Sequence, residues 1–404
     1  MKRMDVRLWV LGAGLLGWAW AGTSSAQEPV KIGVLLPYTG VIAVQAQDNT
    51  RGFELYLKQI GGQVGGRPIT VIKEDDQATP DVGLTKLRKL VERDHVDMIF
   101  GPVHSGVAMA IRETINTNKV PWVIPQAPVR EFTAPTPLAT PTVVRLNETY
   151  DQAIVTHARW LLKNTKHRRF IILASNFPPG KETADAFKAS MREGGGQIVK
   201  EIYPPFATPD YSPFLSQIDP STADAIYVWV AGADAVRFVK QYSEFGLKER
   251  LPLYGYATLT DDVILPALGD AALGIVTIGA YTSQLGNPAN ARFVKEYEAA
   301  HNILPSRYSE TGYTGAQLMV KAIQLLKGDL KNRDAVIRAL REAAAQIESP
   351  RGTVKVDKYG QVVPTMYITR AERKGGRLVN VIVDEVPNVT QESTWGWWMK
   401  DGAK

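Results

Sequence analysis

The segment VKIGVLLP at 30–37 is an almost unbroken apolar run, the pattern of a strand covered on both faces. Between 48 and 60 the period changes. Phe53, Leu55, Tyr56 and Ile60 recur at mixed three- and four-residue spacing, which predicts an amphipathic helix. GGQVGG at 61–66 interrupts it. ITVIKEDD at 69–76 predicts the next strand, and Thr79-Pro80 opens a helix over 81–93, with Thr79 as its cap and proline where a missing N–H costs nothing. MIFGPV (98–103), a helix from about Ser105, and PWVIP (121–125) continue the alternation. Strand followed by helix, repeated with short turns, predicts a parallel doubly wound sheet.

The alternation restarts after Arg145, with helix 150–163, strand 169–175, helix 181–193, strands 197–203 and 224–232, helix 233–245, and strands 252–257 and 274–281. Helices at 289–301, 311–327 and 333–345 follow, then β-rich segments near 353–369 and 377–384. The helical stretch after 285 has few strands of its own, so it is expected to pack back on the first sheet. The chain reads as an α/β protein of two doubly wound parallel-sheet lobes joined by a three-segment hinge, with crossings near 146, 280 and 352. The expected lobes are 27–146 plus 281–352 and 147–280 plus 353–390. Residues 391–404 remain as a C-terminal surface strap.

The first residues add a compartment. Lys2, Arg3 and Arg7 precede an apolar run from Leu8 to Ala21 and the small polar stretch GTSSAQ, the pattern of a signal peptide over 1–26 cleaved after about Ala26. The run is shorter than the roughly 20 residues of a membrane span. A periplasmic location without stable membrane insertion is expected. The 404 residues then leave room for two ordinary domains. Lys and Arg number 47 against 41 Asp and Glu, but they are scattered through the helices, so nucleic acid is not an expected partner. Cysteine is absent, which excludes disulfides, thiolate metal sites and cysteine nucleophiles. A monomer is expected.

Catalytic patterns are not supported. Gly12, Gly14 and Gly17 form a GxGxxG string, but inside the leader and not between a strand and a helix. The histidines at 95, 104, 157, 167 and 301 lack metal-ligand spacing, and His104-Ser105 has no acidic partner placed by any motif. No catalytic residue, metal or cofactor is expected; the reading is a binding protein and not an enzyme. In a doubly wound sheet a ligand sits beyond the carboxyl ends of the strands. Those ends read Pro37–Gly40, Gly101–Gly106 and Pro125–Pro128. Ser105 would begin a helix, where its hydroxyl and free backbone N–H groups face an anion; the plainer alternative is a helix cap alone.

VKIGVLLPYTG, the GG-x-x-GG-R-P-I run, EDDQATP, MIFGPVHSGVA, VPWVIPQAP, ADAFK, GDAALG, NPAN and GQVVP follow one another from about Val30 to Ile368. In that order they resemble the Leu/Ile/Val-type (type I) periplasmic solute-binding proteins of ABC transporters. The resemblance implies hinged lobes closing on one ligand and delivery to permease subunits. It maps the serine that holds a ligand carboxylate onto Ser105, and the small residues whose backbone helps it onto Gln126 and Ala127. The position that aids an α-amine falls at Pro128, which has neither hydroxyl nor N–H. The second-lobe acid that neutralises an ammonium falls at Ala257, and the tyrosine opening a second-lobe helix falls at Pro179, with Phe177 nearby.

The anion half of an amino-acid site is thus kept and the cation half is missing. A buried ammonium without an acceptor would cost several kcal/mol. The expected ligand is a small carboxylate lacking an α-amine, an aromatic or 2-oxo acid, with a branched-chain amino acid or amide as the alternative, or a role in presenting ligand to a sensor. Tyr38, His104, Tyr150, Phe177, Trp229, Tyr256 and Tyr281 fall at or near strand ends or the hinge and supply an aromatic lining. Asp261 and Asp262 would restore amine binding if the alignment shifted by a few residues.

Overall fold

The computed structural model describes residues 28–399; the expected leader lies outside them. β1 (Val30–Leu36) leads into α1 (Ala43–Gln59), followed by the hairpin of β2 (Gln63–Val64) and β3 (Arg67–Asp75). Next come α2 (Pro80–Arg88), β4 (Met98–Phe100), α3 (Ser105–Thr117), β5 (Trp122–Ile124) and β6 (Val143–Arg145). A second run comprises α4 (Tyr150–Asn164), β7 (Arg169–Ala174), α5 (Pro178–Glu193), β8 (Gln197–Ile202), the short α6 (Ser212–Leu215) and β9 (Ala225–Trp229). It continues with α7 (Ala233–Glu244), β10 (Leu253–Tyr256), the short α8 (Leu265–Leu268) and β11 (Val276–Gly279). The chain then forms α9 (Pro288–His301), α10 (Arg307–Leu325), α11 (Arg333–Ala344), the two-residue strands β12 (Glu348–Ser349) and β13 (Gly352–Thr353), and a long hairpin, β14 (Met366–Lys374) with β15 (Arg377–Val386).

Two large sheets result, ordered β2-β3-β1-β4-β5-β6 and β15-β14-β11-β10-β9-β7-β8, beside the small β12-β13 pair. In each, the strand that starts the parallel run lies inside the sheet and the chain winds outward on both sides. The winding reverses between β1 and β4 in one sheet and between β7 and β9 in the other, and such a reversal opens a crevice at the carboxyl ends. β2, β14 and β15 pair antiparallel at the edges, so the sheets are mixed there and not parallel throughout.

Both faces of both sheets are covered, as the unbroken apolar strands require. On the first sheet, Val30, Ile32 and Val34 pack with Phe53 of α1, Met319 of α10 and Leu340 of α11, while Leu35 and Ile99 face Leu90, Val107 and Ile111. Of the helices after 285, α10 and α11 cover the first sheet, while Phe293 and Tyr297 of α9 pack in a separate cluster with Leu55 and Tyr281. On the second, Phe170 and Ile172 face α4 and α5, and Ile171 and Leu173 face Phe238 and Tyr242 of α7.

The elements differ from the sequence pattern where buried residues are polar. α1 begins at Ala43, not 48, because Gln45, Asp48 and Asn49 are buried polar residues that break the apolar period. α10 begins at Arg307, not 311, for the same reason: Arg307, Ser309 and Glu310 are buried, and Ser306 caps the helix. Thr79 sits at the cap position of α2 without a side-chain cap bond. In the β-rich stretch expected over 353–369, only the end of β13 and isolated bridges at Val356, Gln361 and Val362 precede β14 at Met366. Within the described part of the tail, Glu392–Trp397 is a 3-10 turn that packs on α4 and α5.

The chain passes between the sheets after β6, after β11 and before β14. At the first passage Arg145 is fully buried and donates to the side chain of Gln361 at 2.6 Å, to the carbonyl of Val129 and to the hydroxyl of Thr133. Burial lowers its pKa to about 10. Gln361 in turn donates to the carbonyl of Asn147 at 2.8 Å and to Gln152 of α4 at 3.0 Å, joining the passages laterally.

Candidate ligand-binding site

The carboxyl ends of the two sheets face each other, and their loops meet. The amide of Ala233 reaches the carbonyl of Val41 at 3.3 Å. Gly232, with φ at +60°, lies so close that a Cβ there would stand 2.5 Å from that oxygen. Within this contact lies a small cavity of about 50 Å³. Its floor in the first sheet is made by His104, Ser105 and the 126–128 loop; its roof in the second is made by Phe177, Trp229 and Tyr256. Tyr150, at the first turn of α4, closes one side.

Ser105 is the first residue of α3 and His104 is its cap residue, so Ser105 does not act as the cap; its hydroxyl makes no hydrogen bond among the described residues. The first amides of any helix lack intrahelical partners, and here the residue that starts the helix, Ser105, lines the cavity together with Ala127. Ala127 has left-handed backbone, φ +53°, which turns the loop beneath the ligand space. His104 stacks on Phe177 at 6.0 Å between ring centroids, and burial lowers its pKa, keeping it neutral. The rings continue from Phe177 to Trp229 at 5.2 Å, Trp229 to Tyr150 at 5.8 Å and Tyr150 to Tyr256 at 5.3 Å. The indole N–H of Trp229 and Nδ1 of His104 are buried without partners among the described residues.

At the other end of this run stands Arg307, only 5% exposed, its guanidinium 4.7 Å above the Tyr256 ring. Its Nη2 contacts the Tyr256 hydroxyl and reaches Glu148 at 3.3 Å, and Tyr256 donates to the same Glu148 oxygen at 2.7 Å. Burial alone would weaken the Arg307 charge, but the facing Tyr256, Glu148, Tyr308 and Asp261 outweigh it and hold the group protonated.

Of the residues singled out from sequence, Ser105, His104, Gln126, Ala127, Tyr150, Phe177, Trp229 and Tyr256 line this one cavity. Tyr38, Ala257 and Tyr281 do not. The Tyr38 hydroxyl turns back to Thr50 at 2.7 Å and its ring packs on the first core. The Tyr281 hydroxyl donates to Asn290 at 2.8 Å within a separate apolar cluster. The Ala257 side chain lies against Gly279 of β11, and Thr258 lines the cavity in its place. Asp261 and Asp262 are buried behind the site; Asp262 accepts from Asn380 at 3.2 Å. Sequence reasoning missed Arg307, Tyr308, Phe206 and Ile42. Ser306 was the available signal for the first two, a cap residue just before an arginine at a helix start.

The comparisons agree with this architecture. The model of the family described as periplasmic binding protein matches residues 29–377. The Leu/Ile/Val-binding protein homolog 6 of Brucella melitensis is 31% identical over 345 residues, covering 83% of this chain and 86% of the relative. A solute-binding protein of an ABC transporter from R. palustris, solved in complex with benzoate, is 31% identical with a TM-score of 0.83, covering 90% of this chain and 97% of its own. Another, from Rhodopseudomonas palustris BisB5 in complex with 3,4-dihydroxybenzoic acid, is 30% identical with a TM-score of 0.83, covering 91% and 99%. No helix among the described residues is long and apolar enough to cross a membrane. The chain belongs to the periplasmic binding protein family, as a substrate-binding protein of an ABC transporter and not an enzyme.

Proposed function

We propose that the protein captures a small aromatic carboxylate lacking an α-amine between its two sheets and delivers it to the permease of an ABC importer, after export and cleavage near Ala26. The observation that carries this is the character of the cavity: aromatic rings along its length, helix-start donors at Ser105 on one side, and no free carboxylate lining it. The nearest acid, Glu148, is already engaged by Arg307 and Tyr256. An ammonium would therefore compete with Arg307 for Glu148, at a cost of several kcal/mol. Relatives holding benzoate and dihydroxybenzoate support the same reading.

Binding proceeds in two stages. Ser105 and the amides of α3 and Ala127 take the carboxylate, and closure at the hinge then lays Phe177, Trp229 and Tyr256 against the ring. A Kd near 1 μM corresponds to about −8 kcal/mol. Charge-assisted bonds at ~1.5–3 kcal/mol each cannot supply this once association costs are met, so burial of the ring at ~25 cal/mol/Å² contributes much of the rest. Isothermal titration against benzoates, aryl 2-oxo acids and branched-chain amino acids tests the reading. Micromolar binding of an aryl acid with none of leucine or valine is expected; the reverse, in line with the names of the curated relatives, overturns it.

A further inference from the structure

We infer that a small oxyanion binds among the passages that join the two halves, held by Arg351 and Lys355, at a site apart from the ligand cavity. A second cavity, of about 310 Å³, opens there. It is lined by Ala280 just after β11, by Arg351 and Lys355 on either side of β13, by Thr365 just before β14 and by Asn388 beyond β15. It shares no lining residue with the ligand cavity. Liquid water takes about 30 Å³ per molecule, so a small anion fits with part of its hydration shell.

The lining is cationic, and its donors are unsatisfied. The Arg351 side chain is only 9% exposed, and a Glu310 oxygen stands 2.9 Å from its Nε. Yet neither Nε nor Nη2 has a hydrogen-bond partner among the described residues. The other Glu310 oxygen accepts from Thr314 at 2.6 Å. Glu310 thus offsets the charge of Arg351 without satisfying its donors. A guanidinium carries five N–H groups, and buried donors without an acceptor are rare in native proteins. Lys355 is exposed; it donates to the side-chain oxygen of Asn388, a neutral group, at 2.8 Å and makes no ion pair among the described residues. No Asp or Glu lines the cavity, whereas Thr353 and Thr365 do. Such a lining repels cations and leaves a neutral solute facing an unmatched charge. An oxyanion accepts from the planar guanidinium and the ammonium at once.

Phosphate and carboxylate share this chemistry, and the test separates them. The mature protein is titrated calorimetrically with inorganic phosphate and, separately, with acetate, at neutral pH and with ionic strength held constant so that screening does not change. One site with a Kd below about 1 mM is expected for at least one of the two. Tighter phosphate marks a phosphate-type ligand and tighter acetate a carboxylate. Arg351→Lys keeps the charge and removes the forked donors; Lys355→Gln removes the second charge at an exposed position where folding is not at stake. Each should weaken binding about fivefold or more. Lys240→Gln, on the exposed side of α7, should change it less than about twofold, since surface charge alone contributes little. Amide exchange should slow in 351–356 and 362–365 when the anion is added. No binding of either anion up to about 10 mM overturns the inference. So does unchanged affinity in Lys355→Gln, equal weakening by Lys240→Gln, or protection confined to the ligand cavity.

Discussion

Arg130 donates from Nε to Glu182 at 2.6 Å, tying the loop after β5 to α5 in the other half of the molecule. Asp151 of α4 stands 3.3 Å from the same nitrogen. Removing the cation leaves the buried Asp151 and the half-buried Glu182 without this partner. Arg130→Gln should lower stability by about 3 kcal/mol in denaturant titration, and Arg130→Gln with Glu182→Gln should recover more than half of that. Equal losses in the single and the double variant would show the pair to be uncoupled.

Ser105→Ala removes a hydroxyl that bonds nothing else among the described residues. Ligand affinity should fall about tenfold to a hundredfold, the worth of one charge-assisted bond. The melting temperature without ligand should stay within about 2 °C of wild type. Titration and a thermal melt check both; an unaffected Kd would remove Ser105 from the site.

Gly232→Ala places a methyl 2.5 Å from the Val41 carbonyl and at a backbone angle that favours glycine. Closure of the two halves should be hindered, with ligand affinity at least tenfold weaker and a larger radius of gyration in the presence of ligand by small-angle scattering. Unchanged scattering and affinity would mean that the contact yields easily.

Asp261 is fully buried, and burial pushes its pKa up to about 7. A carboxyl that holds its proton more tightly folded than unfolded adds stability below its unfolded pKa, near 4, and that contribution is lost as pH rises toward 7. Asp261→Asn should therefore match wild type at pH 4 and exceed it at pH 8 by on the order of 3 kcal/mol. Chemical denaturation at both values decides; an equal difference at the two pH values would show that Asp261 does not titrate in this range.

Most of the frame was legible because β1, β4, β7 and β9 are apolar on both faces, and helical spacing returns between them. Ser105 and Ala127 were legible because strand ends in a doubly wound sheet locate the crevice. Arg307 was not. Its turn of α10 is polar yet buried, and periodicity registers burial only through apolar residues. Tyr38 shows the opposite error, since proximity to a strand end places a residue near the crevice without fixing which way its ring turns. Phe206 lies in an irregular loop after β8 that no pattern assigned to the cavity.

Trp397 and Trp398 lie over the Arg130 guanidinium, at 4.8 and 5.2 Å, so the last described turn rests on the ion pair that bridges the two halves. A protein without any thiol accepts a single engineered one for labelling. A dye coupled to Met399→Cys would sit beside this joint, making the polypeptide its own optical gauge of capture and release.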